Sequence, residues 1–208
     1  MSRYIKLGFI CLGFLVASNV WAIDLSGFPP CSSPACSSVA VNAPWPELTS
    51  DNVRHVEFHG FHVSLPNGAI ETRSNDHSRL YDFDDKRWIS FSVFLRSDTD
   101  EFFKASRYSM ADWADIVYTQ TPESPVPDTE AEAYAWYSCL MSKVVFVGQN
   151  LVTRYSKSPY TVYSVNDSRS SDKALMIVSS ELPDTLFKME VYGFSEKAVL
   201  ALIAGLIP

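Results

Sequence analysis

Apolar and polar residues alternate most regularly over Arg87–Leu95, where Ile89, Phe91, Val93 and Leu95 fall on one side and Trp88, Ser90, Ser92 and Phe94 on the other. A period of two is the mark of a β-strand. Val53–Phe58 reads as a short strand as well. After it, His59-Gly60 shifts the phase, so that Phe61, Val63 and Leu65 share a face and a turn or bulge joins two strands. Pro66-Asn67-Gly68 ends the second of these, and a less regular strand covers residues 79–83.

The period then changes. Ser109 is placed to cap a helix whose stripe is Met110, Trp113, Ile116 and Val117. Pro122, Pro125 and Pro127 force a loop. Thr129 and Glu132 have capping-box spacing ahead of a second helix over residues 133–141. Four further strands are predicted at 151–155, 160–165, 174–179 and 186–192, and Ser195 opens a last helix that is apolar almost all round from Ala198 to Ile207. That helix is too short to span a bilayer, which takes roughly 20 residues, and is expected to pack on a sheet. The order of strands, helices, strands and helix predicts an α+β fold: a mostly antiparallel sheet flanked by helices, in one domain over residues 51–208.

The start of the chain is different. Arg3 and Lys6, the uncharged run 7–16 and Val20-Trp21-Ala22 make residues 1–22 a signal peptide cleaved after Ala22, leaving no transmembrane anchor. Cys11 lies inside the apolar run and is not preceded by a small residue, against a lipoprotein. Residues 23–50 are rich in Pro and Ser and read as a tether, with Phe28, Val39, Val41 and Trp45 as places where it touches the domain. Cleavage removes two of the 17 basic residues and none of the 24 acidic ones, so the formal charge moves from −7 to −9. Such a surface repels phosphate backbones and argues against nucleic acid, while leaving room for a basic protein partner.

Three cysteines remain, and export to a periplasmic or secreted location favours disulfides. Cys31-Ser-Ser-Pro-Ala-Cys36 can close on itself, leaving Cys139 buried; the alternatives link one of the pair to Cys139. The spacing is neither a redox motif nor half of a zinc site.

Phe61-His-Val-Ser-Leu-Pro66 resembles the opening strand of Mog1/PsbP-like domains. Phe187-Lys-Met-Glu-Val-Tyr-Gly-Phe-Ser-Glu196, followed by an apolar helix, resembles their closing strand and helix. The resemblance covers the plan from about Val53 to Pro208. It implies assembly factors, regulators and small exported proteins rather than one chemistry, and transfers no functional residue.

Candidate chemistry is sparse. If strand geometry holds through the turn, His55, Glu57 and His59 point to one side and offer three ligands to zinc or copper. The competing reading is the polar outer face of an edge hairpin, and no cofactor is expected. Acidic groups at Asp82, Asp84 and Asp85, and at Asp98, Asp100 and Glu101, lack the glycine and distal Glu of a calcium loop and read as solvated turns. No serine-hydrolase or metallopeptidase motif is present. Ser170-Ser-Asp-Lys173 fits S-x-x-K but sits in a polar turn. For a protein partner, the acidic proline loop and helix start supply Glu123, Asp128, Glu130 and Glu132, with Trp136, or its neighbours Trp113, Tyr134 and Tyr137, as an aromatic anchor. The expected function is a non-enzymatic protein-binding domain of the bacterial envelope. It would be an inhibitor or immunity protein against a toxin or lytic enzyme, or an accessory factor of an envelope complex. A periplasmic small-ligand or metal-binding protein is the alternative, and a hydrolase with a site assembled from distant residues the next.

Overall fold

A computed structural model describes Leu25 and residues 29–47, 53–84, 86–166 and 172–207. The expected signal peptide lies outside them. The chain is α+β, with one large mostly antiparallel sheet, helices on its face and a C-terminal helix.

In chain order the strands are β1 Val41–Ala43, β2 Val53–Phe58, β3 Phe61–Pro66, β4 Ile70–Ser74, β5 Ser78–Asp84, β6 Arg87–Leu95, β7 Leu151–Lys157, β8 Tyr160–Asn166, β9 Lys173–Ser179, β10 Thr185–Tyr192 and β11 Leu206–Ile207. The helices are α1 Glu101–Ala105, α2 Met110–Thr119, α3 Glu130–Phe146 and α4 Glu196–Ala204. Eight strands form one sheet in the order β1-β7-β8-β9-β10-β6-β5-β4, and β11-β3-β2 form a second. Every pairing is antiparallel except β1 with β7.

Alternation along the central strands sorts the side chains into two cores. Ile89, Phe91 and Val93 of β6, with Phe187, Met189 and Val191 of β10, face the small sheet and α4, meeting Phe58, Phe61, Val63 and Leu202. Tyr163 and Val165 of β8, Met176 and Val178 of β9 and Leu186 of β10 face the other way, against Trp113, Val117, Trp136 and Leu140 of α2 and α3. The molecule therefore has three layers: helices α1 to α3, the large sheet, and the small sheet with α4.

Local chemistry explains the helix starts. Ser109 and Asp112 complete a reciprocal capping box on α2, the Asp112 carboxylate accepting from the Ser109 amide at 2.7 Å. Thr129 accepts from the Glu132 amide at 3.4 Å, but the Glu132 carboxylate does not return to the cap. It accepts from Arg107 at 2.8 Å instead. Helix α4 stops earlier than its apolar run suggests. Gly205 passes over β3 so closely that a Cβ there would lie 2.8 Å from the Ser64 Cβ, and Leu206 and Ile207 then pair with Val63 and His62 as β11.

The Pro/Ser-rich stretch read as a tether is docked where it is described. Pro34–Ser37 forms a 3-10 turn with Ala35 and Cys36 buried, β1 joins the edge of the large sheet, and Trp45 packs against the core beneath the small sheet. Val39 and Val41 are exposed.

Candidate functional site

The proposed metal ligands are not brought together. His55 lies in β2 with its Nδ1 3.1 Å from the Ser64 hydroxyl, and Glu57 stands opposite His62 in the hairpin register. His59 is in the turn, not the strand. Its φ of 50° places it in the left-handed region, and its ring bonds the Asp76 carbonyl and stacks 6.3 Å from His77. The left-handed turn breaks the alternation that would have put three ligands on one face. Among the described residues no group of three His, Cys, Asp or Glu side chains is placed to hold a metal ion.

The acidic loop is reached by solvent, but the anchor assigned to it is not. Glu123, Asp128 and Glu130 are exposed. Glu130 accepts from the Tyr134 hydroxyl at 2.8 Å, the Thr121 hydroxyl holds the Glu123 carboxyl below its usual range, and Arg107 does the same to Glu132. Trp136 is only 3% exposed, and its indole N–H donates to the Gln120 side-chain oxygen at 2.6 Å. It is a core residue with its one polar atom satisfied, so it cannot meet a partner.

Cys31 and Cys36 sit at disulfide distance, with Cα atoms 5.9 Å apart, and Cys139 is buried, its thiol pushed up by burial. Residues 170 and 171 of the S-x-x-K match lie outside the described residues. Lys173 donates to the Asn166 side chain at 2.9 Å.

The feature that sequence reasoning missed is a half-bare sheet face. Helices α2 and α3 cover the outward side chains of β8 and β9, with Leu186 of β10, and Phe94 of β6 packs against the same cluster. The next outward positions are Lys188, Glu190 and Tyr192 on β10 and Trp88, Ser90 and Ser92 on β6, which the register sets opposite one another. None of these belongs to either buried core. Trp88 and Tyr192 stack with ring centres 5.4 Å apart and planes 7° apart, and Tyr192 is 38% exposed. Beside them Ser90 donates to Glu190 at 3.0 Å and Lys188 pairs with the same carboxylate at 2.5 Å. Burial works against the charged form of Glu190, but Lys188 and Ser90 outweigh it and hold the carboxyl below its usual range.

Two hollows meet at the C-terminal end of α3, with Phe146 lining both. One is an open cleft of about 340 Å³ on the bare face, between Val145 and the Trp88, Lys173 and Lys188 side chains. The other is a chamber of about 260 Å³ between the turn after β6 and helices α2 and α3, lined by Met110, Leu186, Phe94 and Trp113 among others. The outward positions of β6 carry the signal for this arrangement, since Trp88 and Phe94 flank a polar pair, Ser90 and Ser92. Their alternation does not say which of them a helix will cover.

No protein-family model and no curated protein matches the chain. A crystal structure from Bacteroides thetaiotaomicron VPI-5482, determined at 1.50 Å, is similar to it with a TM-score of 0.37 and 11% identity, over 71% of this chain and 44% of that one. The chain thus spans less than half the length of that structure's chain, and a likeness so slight assigns nothing. Among the described residues no helix is long and apolar enough to cross a membrane.

Proposed function

We propose that this chain is an exported, non-catalytic binding domain of the bacterial envelope that receives a protein partner on the bare half of its sheet face. One observation carries the reading. The helical layer stops short, leaving the Trp88–Tyr192 stack beside internally paired charges, next to an open cleft. Aromatic rings amid satisfied polar groups supply contact area without unpaired charge, which is how interface hot spots are built. The cleft beside the stack is open to solvent rather than enclosed, and that favours a protein over a small molecule. Export is supported by the N-terminal segment and by the Cys31–Cys36 pair. An inhibitor or immunity protein, or an accessory factor of an envelope complex, is the form such a domain takes.

A photo-crosslinking amino acid at position 192, compared with one at Val126 in the proline loop, tests the reading in the cells that make the protein. Val126 is 42% exposed and is the apolar side chain of the rival surface. Position 192 is expected to give one discrete protein adduct and position 126 none. The reverse result would move the contact to the loop, and the absence of adducts from both would end the protein-partner reading.

A further inference from the structure

The chamber is a gap at the edge of the helix-side core, lined by its Met110, Trp113 and Leu186 and by Phe94 and Phe146 packed against it. Three aromatic rings line it, with Phe146 edge-to-face against each of the other two: Trp113 lies 5.0 Å away at 90° and Phe94 6.4 Å away at 87°. Its rim carries two carboxylates, Asp98 and Asp100. Both are held in place by the chain itself. Asp98 accepts from the Leu95 amide at 2.9 Å and from the Ser97 hydroxyl at 3.4 Å. Asp100 caps α1 by accepting from the Phe103 amide at 3.0 Å and also accepts from the Ser138 hydroxyl. Among the described residues neither forms an ion pair. The nearby cations are committed elsewhere: Arg96 donates to the carbonyls of Lys104, Ser106 and Tyr108, and Lys104 pairs with Glu101 at 2.9 Å.

Two fixed negative charges thus stand at the mouth of an aromatic hollow, and this combination selects a ligand by elimination. An anion is repelled. A neutral apolar molecule would fill the hollow but gain nothing from the carboxylates. A hydrated metal ion would have to shed water against aromatic walls while both carboxylates are oriented by their own backbone donors. A monovalent organic cation answers both features, because ring quadrupoles attract an ammonium and alkyl groups on its nitrogen lower the cost of removing it from water. The volume sets the size: about 260 Å³ is below the roughly 300–1,000 Å³ of drug-sized sites.

We propose that this chamber binds a small alkylammonium cation of the quaternary type, its charge shared between the Phe94, Trp113 and Phe146 rings and the Asp98 and Asp100 carboxylates. The chamber shares Phe146 with the cleft on the partner face but none of Trp88, Tyr192, Lys188 or Glu190, so its failure would leave that reading standing.

Calorimetric titration of the purified protein with choline, against its neutral carbon isostere 3,3-dimethylbutan-1-ol, tests the charge directly. Choline is expected to bind at least tenfold more tightly than the isostere. Asp98→Asn, which keeps the shape and the acceptor for the Leu95 amide, is expected to weaken choline about fivefold and leave the isostere unchanged. Phe146→Leu is expected to weaken choline about as much, with unfolding temperature reported for both variants. Equal binding of the two ligands, or no binding of choline by a folded protein, overturns the proposal. A blocked lysine that binds tenfold more tightly than choline would overturn the quaternary assignment in favour of a side chain presented by a partner.

Discussion

The Lys143 ammonium donates to the main-chain carbonyl of Ser38 at 2.6 Å, tying the third helix to a segment 105 residues earlier. It also donates to the Gln120 carbonyl at the end of α2, so one side chain joins three parts of the chain. Lys143 is fully buried, and both of these partners are neutral. Burial therefore disfavours its charged form, and its pKa falls to about 8.

That depression makes stability depend on pH in a defined direction. Between about pH 8 and the ordinary lysine value of 10.5, the unfolded chain holds a proton that the folded protein has released. Unfolding free energy from this group must then rise with pH across that window, by up to about 3 kcal/mol at 1.4 kcal/mol per unit. The Cys139 thiol opposes the trend from about its ordinary value of 9.0, and Tyr118 and Tyr163 from about pH 10, since burial raises all three in the fold. Urea unfolding at pH 7.5, 8.5 and 9.5 in a Cys139→Ala background, which removes the opposing thiol, is expected to show a rising stability that Lys143→Met flattens. Equal slopes in the two proteins would refute the assignment.

Gly193 follows Tyr192 and bears directly on the bare face. Its φ is 75°, and a Cβ there would lie 2.6 Å from the Lys86 carbonyl oxygen. Backbone cannot yield as a flexible side chain does. Gly193→Ala is expected to cost about 2–3 kcal/mol in denaturant unfolding. A loss under about 0.5 kcal/mol would show that the β5–β6 turn gives way more easily than its contacts suggest.

The cysteines divide into a closed loop and an inert thiol. Replacing Cys31 and Cys36 together by Ser is expected to cost about 2 kcal/mol, the chain-entropy value for so short a loop. Cys139 is buried with its thiol pushed up, so in a chain cleaved after Ala22, which lacks Cys11, a thiol reagent should label nothing in the native protein and one residue after unfolding without reductant. Labelling of Cys36 without reductant would show that the pair is open.

Much of the fold was legible because buried faces leave periodic marks. The alternation of Arg87–Leu95 located β6, and the phase shift at His59-Gly60 located the hairpin turn. Ser109, Thr129 and Ser195 each cap the helix expected of them. The missed elements carry no such mark. All five residues of β4 are exposed and its pairing with β5 is bulged, so no apolar row announces it. Strand β1 is three residues long, and α1 has one buried side chain. The site was less legible than the fold. Trp136 has the same composition signal as an exposed anchor, and only the position of Gln120 decides that it is core. Lys143 lies beyond the 133–141 helix expected from the sequence, and only the fold places the Ser38 and Gln120 carbonyls around it.

Docking of the N-terminal segment sets an order of events. Val41, Asn42 and Ala43 take their place only beside Thr153, Arg154 and Tyr155, and Ser38 only beside Lys143. A ribosome makes the segment long before it makes these partners. The earliest described stretch of the chain is therefore among the last to assemble, since contacts between distant residues must wait for loop closure. Until then the outer edge of β7 stays open, and whatever holds the growing chain has that strand within reach.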